Sequence, residues 1–441
     1  MSASPRQVVI TGLGAVTGFG LGAAALWDAL LAGRSCLGPI TRFDASAFPC
    51  RLAGEAEGFT ARDLVPKHYR KAVKVMARDI ELAVGAAKAA VEDAGLVTKG
   101  AAAGEGDAPP TYPSRRVGCH IGAGLIACDV TELAAAQSTA RDESGRFSHT
   151  LWGEGAINNL PPLWLLKYLP NMLACHVTII HDAQGPSNTI TCAEASGGLS
   201  IGESKRVIER GEADLCFSGG AESKINPMGM VRMDMANRLA HTADATDGAA
   251  IVRPYDENAP GGIMGEAGGL VMLEGMDSAN ARNARIYCEL AGFGAGHAPW
   301  SDDPATRAEG LRFAIENAFD DSGLGPDDID AIVPHASGIA RMDRDEAEAL
   351  RQVFGKRLAD LPLVTITPNI GDGMAGAGGV AACVGALCLH HQTIPARLHA
   401  GSWPDDLQAG PTHQRDARLR AVLVCTNALG GQNAALILRT T

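Results

Sequence analysis

The sequence lacks the patterns by which several large classes of protein are recognised. Its 11 cysteines include no CxxC pair and no even spacing, which argues against a zinc site and against a disulfide framework. Its 12 histidines form no HExxH pattern, and the adjacent pair His390-His391 lacks the i, i+4 spacing of helical ligands. We therefore expect no metal site, and a surface or interface position for this pair.

Long basic runs and long apolar runs are also missing. The chain of 441 residues has a formal net charge of −12, which argues against a nucleic-acid partner. Its apolar stretches are too short, or too often interrupted by glycine, to predict a membrane-spanning helix. The first residues show no signal-peptide pattern. We therefore expect a cytoplasmic protein that does not associate with a membrane.

A dinucleotide site is the next class that the sequence argues against. Gly12 and Gly14 follow an apolar strand, but the full GxGxxG pattern and its acidic partner are absent. With 53 glycines and 46% apolar residues, the composition is typical of an α/β protein with many tight turns. A chain of this length usually exceeds one simple core, so we expect two fused subdomains.

Runs typical of strands alternate with runs typical of helices along the whole chain. Residues 70–94 have apolar positions at helical spacing and predict one long helix. This alternation predicts a layered α/β architecture. The polar Gly/Ala/Pro segment 98–115 is the best candidate for a disordered loop. The predicted strands read VVITGLG, VGCHIGAGL, HVTIIHD, ADLCFSGGA, GGLVMLEGM, RIYCELAGFG, AIVPHAS, VLVCTNA and AALIL.

The most informative segment lies between Gly185 and Gly202 and reads GPSNTITCAEASGGLSIG. It predicts a strand that passes through a tight turn into a helix, and Glu194 stands at the turn. The segment resembles the active-site elbow of the β-ketoacyl synthases, the condensing enzymes of fatty-acid and polyketide assembly. The glycines and serines on both sides align without a gap, so the family's nucleophilic cysteine falls on Glu194.

Further segments extend the resemblance over essentially the whole chain. They are VVITGLGAVTGFG (8–20), GEADLCFSGGAES (211–223) and RPYDENAPGGIMGEAGGLVMLE (253–274). The resemblance implies a thiolase-like fold, a five-layered αβαβα arrangement of two duplicated halves with one five-stranded sheet each. We place the N-terminal half at residues 1–277 and the C-terminal half at residues 278–441.

The substitution at the elbow removes the atom on which the family's chemistry depends. A cysteine at a helix N-terminus becomes a thiolate and accepts an acyl group from a carrier thioester. The carboxylate of Glu194 suits a helix N-terminus, but its attack on a thioester would give a mixed anhydride that lies uphill. Cys192 lies two residues earlier, away from the apex, and we interpret it as a small packing residue.

Other catalytic positions that the resemblance implies are also substituted. The first histidine is retained as His335, whereas Pro368 stands at the lysine position and Gly373 at the second histidine position. Asp372 is adjacent, but a carboxylate does not donate to a developing enolate as imidazole or ammonium does. Three of the four catalytic positions are therefore substituted, which leaves enzymatic activity open. The C-terminal gate falls on residues 427–431, where the resemblance implies substrate binding by Leu429 and Asn433.

The resemblance also implies partners. The family uses no cofactor of its own, because its substrates arrive on the phosphopantetheine arm of an acyl carrier protein. Carrier proteins are acidic, so basic residues are candidates for docking, although an ordinary solvated helix face explains the same residues equally well. A dimer through residues 176–191 is implied, with an active ketosynthase or with a second copy. The candidate docking residues are Lys67, Arg70, Lys71, Lys205 and Arg206.

Four functions remain open at this point. The first is a non-condensing partner subunit, similar to a chain-length factor, that pairs with an active ketosynthase and shapes its acyl tunnel. The second is a malonyl-carrier decarboxylase, although a negative Glu194 would repel the malonate carboxylate. The third is an enzyme that uses Glu194 and His335 as a new acid/base pair, which only mutual geometry can identify. The fourth is a cysteine-dependent synthase that uses Cys192.

Overall fold

The computed structural model describes residues 6–101 and 108–441. The strands are β1 Val8–Thr17, β2 Gly20–Leu21, β3 Gly38–Pro39, β4 Leu52–Ala53, β5 Val117–Gly122, β6 Ser187–Ile190, β7 Leu215–Glu222, β8 Ala267–Gly275, β9 Cys288–His297, β10 Ala331–Val333, β11 Thr393–Ile394, β12 Arg415–Asp416, β13 Ala421–Asn427 and β14 Gln432–Arg439. The helices are α1 Ala23–Leu31, α2 Ala61–Leu64, α3 Arg78–Asp93, α4 Val130–Thr139, α5 His149–Glu154, α6 Met172–His181, α7 Ser196–Glu209, α8 Pro227–Met235, α9 Met276–Ala281, α10 Pro304–Ser322, α11 Ala340–Phe354, α12 Thr367–Ile370 and α13 Ala377–His391.

Each half of the chain contributes its own set of strands. The N-terminal half has the order β6-β5-β7-β8-β1, and the C-terminal half has the order β9-β14-β13-β10. A single bridge between Ile332 and Leu363 occupies the fifth position of the second half. The two sets meet where β1 pairs with β9, at Val9 with Glu289 and Ile10 with Cys288. The hydrogen-bonded path is therefore continuous from one half to the other.

Helices cover both sets of strands and fill the space between them. Helix α3 packs on β1 and β8, and α10 packs on β9 and β14, so these two helices belong to the outer layers. Helices α7 and α13 contact strands of both halves and form the central layer. Their small and aliphatic residues, such as Ile201 and Val384, lie fully buried in the central hydrophobic cluster. The result is the five-layered arrangement that the resemblance implies.

Two sequence predictions about secondary structure were wrong. Residues 176–182 were expected to form a strand, but they continue α6 as far as His181. The buried residues Leu173, Val177 and Ile180 recur at helical spacing, so the same apolar run satisfies a helix face. The helix expected over 70–94 begins only at Arg78, because a 3₁₀ segment over Lys67–Val75 precedes it.

Other expectations concern the linking segments. Residues 102–107 of the loop expected at 98–115 lie outside the described residues. The boundary placed between residues 277 and 278 falls within α9 and stays a prediction. The window Met374–His391 is long and apolar enough to cross a membrane by length and composition, contrary to the expectation for apolar stretches. This window is 83% buried within the protein, as expected for a central core helix.

Candidate functional site

The elbow is a strained turn between the edge strand β6 and the central helix α7. Ala193 has a φ of 47°, a left-handed conformation that costs a non-glycine residue roughly 1–3 kcal/mol. The Oγ of Ser196 holds the turn, since it accepts a hydrogen bond from the Cys192 amide at 2.8 Å and donates to the Ala193 carbonyl at 2.6 Å. Glu194 stands at the apex, directly before α7, and is 0% exposed.

Arg238, which no sequence pattern marked, is the counter-ion of Glu194. It follows α8, and its Nη2 contacts Glu194 Oε1 and lies 3.1 Å from Asp372 Oδ2. Burial acts to lower the pKa of Arg238, but the carboxylates of Glu194 and Asp372 outweigh it and hold the pKa above its ordinary value. The guanidinium is therefore charged and shared between two buried carboxylates. A lone arginine in the segment ANRLA carries no motif, so only the fold reveals this contact.

His335 belongs to the same charged group. Its Nε2 lies 3.8 Å from Asp372 Oδ1, which is a charge contact rather than a hydrogen bond. Burial acts to lower the pKa of His335, but Asp372 and Glu194 raise it to about 9. Burial likewise opposes ionisation of Asp372, yet His335 and Arg238 bring its pKa well below the usual range. We call Glu194, Arg238, Asp372 and His335 the buried quartet. It pairs two carboxylates with two cations.

Two carboxylates on α11 hold the loop that carries His335. Glu346 accepts the backbone N–H groups of His335 and Ala336, each at 2.8 Å, and the Tyr255 hydroxyl at 3.0 Å. Asp343 accepts the Ser337 hydroxyl at 2.8 Å. These bonds fix the backbone at His335 and Ala336 and the side chain of Ser337.

The structure offers no room for a side chain at Gly373, where the resemblance implies the second histidine. A Cβ placed on Gly373 would lie 2.4 Å from the Ala267 Cβ, closer than side-chain carbons approach each other. Pro368 lies buried in the short helix α12, and its carbonyl accepts a hydrogen bond from Ser35 Oγ at 2.8 Å. Neither position brings a proton donor to the quartet, whereas Asp372 brings a carboxylate.

The gate residues form a pocket of their own. Leu429 follows β13 in the turn to β14, and Asn433 lies on β14 with its Nδ2 donating to the Gly431 carbonyl at 2.7 Å. Both residues line a pocket of about 90 Å³, together with Glu346. The pocket thus reaches the residue that holds the His335 loop, but it is not lined by Glu194 or by His335 itself.

The basic residues divide into two groups. Lys67 and Lys71 are exposed on the 3₁₀ segment, and Arg70 is half-buried. Lys205 was wrongly expected at a docking surface, because it is 3% exposed and is paired with Glu209 and, at 2.8 Å, with Asp321. The central helix α7 carries Lys205 into the interface with the C-terminal half, where its charge is neutralised.

Arg206 and Cys192 complete the sequence candidates. Arg206 is half-exposed and shares the same acidic partners, Glu209 at 2.8 Å and Asp321 at 2.7 Å. Cys192 is half-buried before the turn, and burial raises the pKa of its thiol. A raised pKa lowers the thiolate fraction at neutral pH. Among residues 6–101 and 108–441, no group of three or more His, Cys, Asp or Glu side chains is arranged to hold a metal ion.

The layered fold and the strained elbow before a central helix define a condensing-enzyme scaffold. Comparison with known families agrees. The family model "Beta-ketoacyl synthase, N-terminal domain" matches residues 5–279, and "Beta-ketoacyl synthase, C-terminal domain" matches residues 287–401. The chain therefore belongs to the β-ketoacyl synthase family.

Individual relatives cover nearly the full chain. The chain is 30% identical over 438 residues to 3-oxoacyl-[acyl-carrier-protein] synthase 2 of Staphylococcus aureus (strain COL), covering 98% of both chains. It is also 30% identical to the protein of the same name from Coxiella burnetii, again covering 98% of each. Among solved structures, the ishigamide ketosynthase/chain length factor is similar with a TM-score of 0.80 and 28% identity, covering 99% of this chain and 100% of that one.

Proposed function

We propose that this protein is a non-condensing subunit of fatty-acid or polyketide synthesis, of the chain-length-factor type. It pairs with an active ketosynthase and shapes the acyl tunnel of that partner. The observation that carries the proposal is the ion pair between Glu194 and Arg238 at the place of the nucleophile. A carboxylate that is buried and paired there has no thiol chemistry to offer and no free position for an incoming thioester.

The chemistry of condensation argues in the same direction. An acyl group on Glu194 would be a mixed anhydride, which lies above the thioester that delivers it. The quartet also contains no group that replaces both the lysine and the second histidine. Each acid/base or oxyanion group contributes roughly 10²–10⁴-fold to such reactions. With Pro368 and Gly373 at these positions, condensation at this site would run near the uncatalysed rate.

The relatives support the pathway. The similar proteins from Staphylococcus aureus and Coxiella burnetii carry the name 3-oxoacyl-[acyl-carrier-protein] synthase 2. We therefore propose an acyl carrier protein as a partner, with phosphopantetheine delivered on that carrier rather than held as a resident cofactor. The exposed Lys67 and Lys71 are the docking candidates that the geometry leaves open. A cytoplasmic location is part of the same proposal.

The surface around β6 supports a dimer. Strand β6 pairs only with β5 in the described residues, so its other edge is open for pairing with a second chain. Ser187 and Asn188 are exposed along it. Ile179, on the helix α6 that contacts β6, is a large apolar side chain that is 56% exposed. An exposed apolar side chain beside an open strand edge is consistent with an interface at this surface.

The two alternative activities lack the groups that they need. A decarboxylase must admit the malonyl carboxylate, which the negative charge of the buried Glu194 would repel, and Arg238 is already paired with Glu194 and Asp372. An acid/base pair of Glu194 and His335 needs contact between the two, whereas Glu194 contacts Arg238 and His335 faces Asp372. Both alternatives therefore require a rearrangement of the quartet.

Co-expression tests the proposed pairing. The protein and an intact ketosynthase from the same gene cluster should co-purify with one copy of each chain and condense acyl and malonyl carriers. Replacing the partner's nucleophilic cysteine should abolish condensation, whereas Glu194→Gln in this chain should leave condensation largely unchanged. A chain that stays a monodisperse monomer at micromolar concentration in the presence of the ketosynthase would contradict the proposal.

A further inference from the structure

A second pocket lies on the C-terminal half and is lined by no residue of the buried quartet or of the gate. Its volume is about 310 Å³, at the lower end of the range typical of small-molecule sites. The 3₁₀ segment Gly355–Asp360, the β11–β12 hairpin and the segment that leads into β13 form its wall. The charged residues in this wall are Asp330, Arg357, Asp360, Arg415, Asp416 and Arg418.

Two of these charged residues are already satisfied by the protein. Arg357 donates to the Pro326 carbonyl at 3.0 Å and also to the Ile329 carbonyl. Asp330 Oδ1 lies 2.8 Å from Arg420 Nη2, and Asp330 Oδ2 accepts the backbone N–H of Arg420 at 2.6 Å. These bonds stabilise the wall of the pocket. They leave the other four charged side chains to face the space inside it.

Arg415 and Arg418 bring unused hydrogen-bond donors to the pocket. Both side chains are exposed. Within residues 6–101 and 108–441, neither of them makes an ion pair or a side-chain hydrogen bond. A guanidinium group presents a planar set of donors that matches the geometry of an oxyanion. The two arginines therefore form a place where an oxyanion can be held by direct contact.

Arg397 adds positive charge behind this wall. It is 6% exposed, and it donates to the Leu363 carbonyl at 2.6 Å and to the Gly410 carbonyl. Among the described residues, no carboxylate oxygen lies within 4.0 Å of its guanidinium nitrogens. Burial and the nearby Arg415 lower the pKa of Arg397 to about 10, so it is still charged at neutral pH. Buried charges are normally paired, so an anion bound beside Arg415 would offset this one.

Asp360 and Asp416 determine which oxyanion fits. Both are exposed, both line the pocket, and neither is part of an ion pair in the part of the chain that the structure describes. A carboxylate only accepts hydrogen bonds, so it repels an anion that has no proton to donate. Phosphate keeps a P–OH group at neutral pH, whereas sulfate keeps none. Arginines and carboxylates in one pocket therefore favour phosphate over sulfate.

We propose that this pocket binds inorganic phosphate, with Arg415 and Arg418 donating to its oxygens and Asp360 and Asp416 accepting its hydroxyl group. A phosphate monoester has a second pKa of about 6 and has largely lost its P–OH proton at neutral pH. It should therefore bind more weakly than free phosphate. The site goes beyond the proposed function and does not rest on it, because no residue of the elbow or the gate takes part.

Isothermal titration calorimetry with phosphate and with sulfate, at neutral pH and equal ionic strength, tests the site. The wild type should bind phosphate saturably and at least about tenfold more tightly than sulfate. Arg415→Gln and Arg418→Gln should each weaken phosphate binding about tenfold to a hundredfold, the range for one charge-assisted hydrogen-bonding group. Arg146→Gln, which removes the same charge from an exposed position in the N-terminal half, should leave binding unchanged.

The double variant Asp360→Asn/Asp416→Asn tests the origin of the selectivity. It should abolish the preference for phosphate, because an asparagine amide donates to sulfate as readily as to phosphate. All the substituted side chains are exposed, so we expect the variants to fold, and urea unfolding confirms this.

Several results would overturn the phosphate site. They are no phosphate binding by the wild type at millimolar concentration, equal affinity for phosphate and sulfate, an equal loss in Arg146→Gln, and a preference that persists in the double variant. Glycerol 3-phosphate that binds more tightly than phosphate would overturn the assignment to the free anion. Co-purification with a ketosynthase tests the proposed function separately, so either idea can fail without the other.

Discussion

Removal of the Arg238 charge is the perturbation to which the buried quartet should respond most strongly. Arg238→Met keeps most of the side-chain length and the apolar stem, but it leaves Glu194 and Asp372 without their shared cation. The Arg238 side chain is 5% exposed, and both carboxylates are fully buried. Breaking a buried ion pair from one side costs about 3–5 kcal/mol. We therefore expect the free energy of unfolding to fall by about that amount.

The double variant Arg238→Met/Glu194→Gln separates the effect of the lost charge from the effect of the lost packing. Glu194→Gln removes one of the two carboxylates that Arg238→Met leaves without a cation, so it should restore part of the lost stability. Contacting residues in such a cycle show coupling of roughly 0.5–3 kcal/mol. Arg351→Met is the matched control, since Arg351 makes a two-point pair with Asp406 at 2.6 and 3.0 Å on a half-exposed surface. A surface pair of this kind contributes about 1 kcal/mol or less.

Urea unfolding at a fixed protein concentration measures five proteins: the wild type, Glu194→Gln, Arg238→Met, the double variant and Arg351→Met. If their m-values are equal, the midpoints can be compared directly. The reasoning would be refuted if Arg238→Met were within about 1 kcal/mol of the wild type. A loss in Arg351→Met as large as that in Arg238→Met would refute it too. Additive effects of Glu194→Gln and Arg238→Met would show that the two groups do not interact.

Three further predictions concern the elbow and pH. Intact-mass spectrometry after incubation with acyl-carrier protein should show no covalent adduct, because Glu194 replaces the nucleophile and the Cys192 thiol has a raised pKa. Glu194→Cys should gain thiol reactivity and partial acyl loading, while β-ketoacyl product stays near background, because two groups worth about 10²–10⁴-fold each are missing. Each of His120, His176 and His181 should destabilise the fold as pH drops from about 6.5 toward 4, because burial lowers its pKa to about 4 and the unfolded chain binds the proton first. The buried carboxyls of Asp79 and Asp343, whose pKa burial raises to about 7, act in the opposite direction, so a histidine's contribution is read as a difference from a variant that lacks it.

Each of these predictions has a contradicting outcome. An acyl adduct mapped to Cys192 would restore the interpretation of a cysteine-dependent synthase. Robust condensation by Glu194→Cys alone would show that the site needs neither the lysine nor the second histidine. For the pH dependence, the change in the free energy of unfolding between pH 7.5 and 5.5 is compared in the wild type and in His181→Gln, because Asp79 and Asp343 titrate alike in both; the two should differ by up to about 1.4 kcal/mol per pH unit. An equal change in the two proteins would contradict the assignment of a neutral buried His181.

The sequence predicted the layered fold because the relevant information is local and repeated. Apolar runs with the period of a strand or a helix recur along the chain, and the glycines around Glu194 mark a tight turn. The same periodicity was misleading at residues 176–182, since a short apolar run satisfies both periods. It was also misleading at residues 70–77, which were predicted to be part of the long helix but precede α3 and lie largely in the 3₁₀ segment Lys67–Val75.

Sequence patterns did not identify the charged residues that neighbour the site. Arg238 lies 44 positions beyond Glu194 in a segment without a motif, and Lys205 looked like a surface cation on a helix of mixed polarity. Whether a charge is free or neutralised depends on which distant carboxylate the fold brings against it. The charge of Lys205 is neutralised by Asp321, and the charge of Arg238 is neutralised by Glu194 and Asp372.

The sequence by itself determined the family scaffold. By resemblance it also predicts a carboxylate in place of the thiol and the loss of the lysine and of the second histidine, which are statements about residue identity at aligned positions and require no distances. Only the tertiary structure decided that Glu194 contacts Arg238, that Gly373 has no room for a side chain, and that the Arg341 guanidinium lies over the Trp300 ring. Each of these depends on contacts between residues far apart in the chain, because burial and pairing arise only when the layers pack.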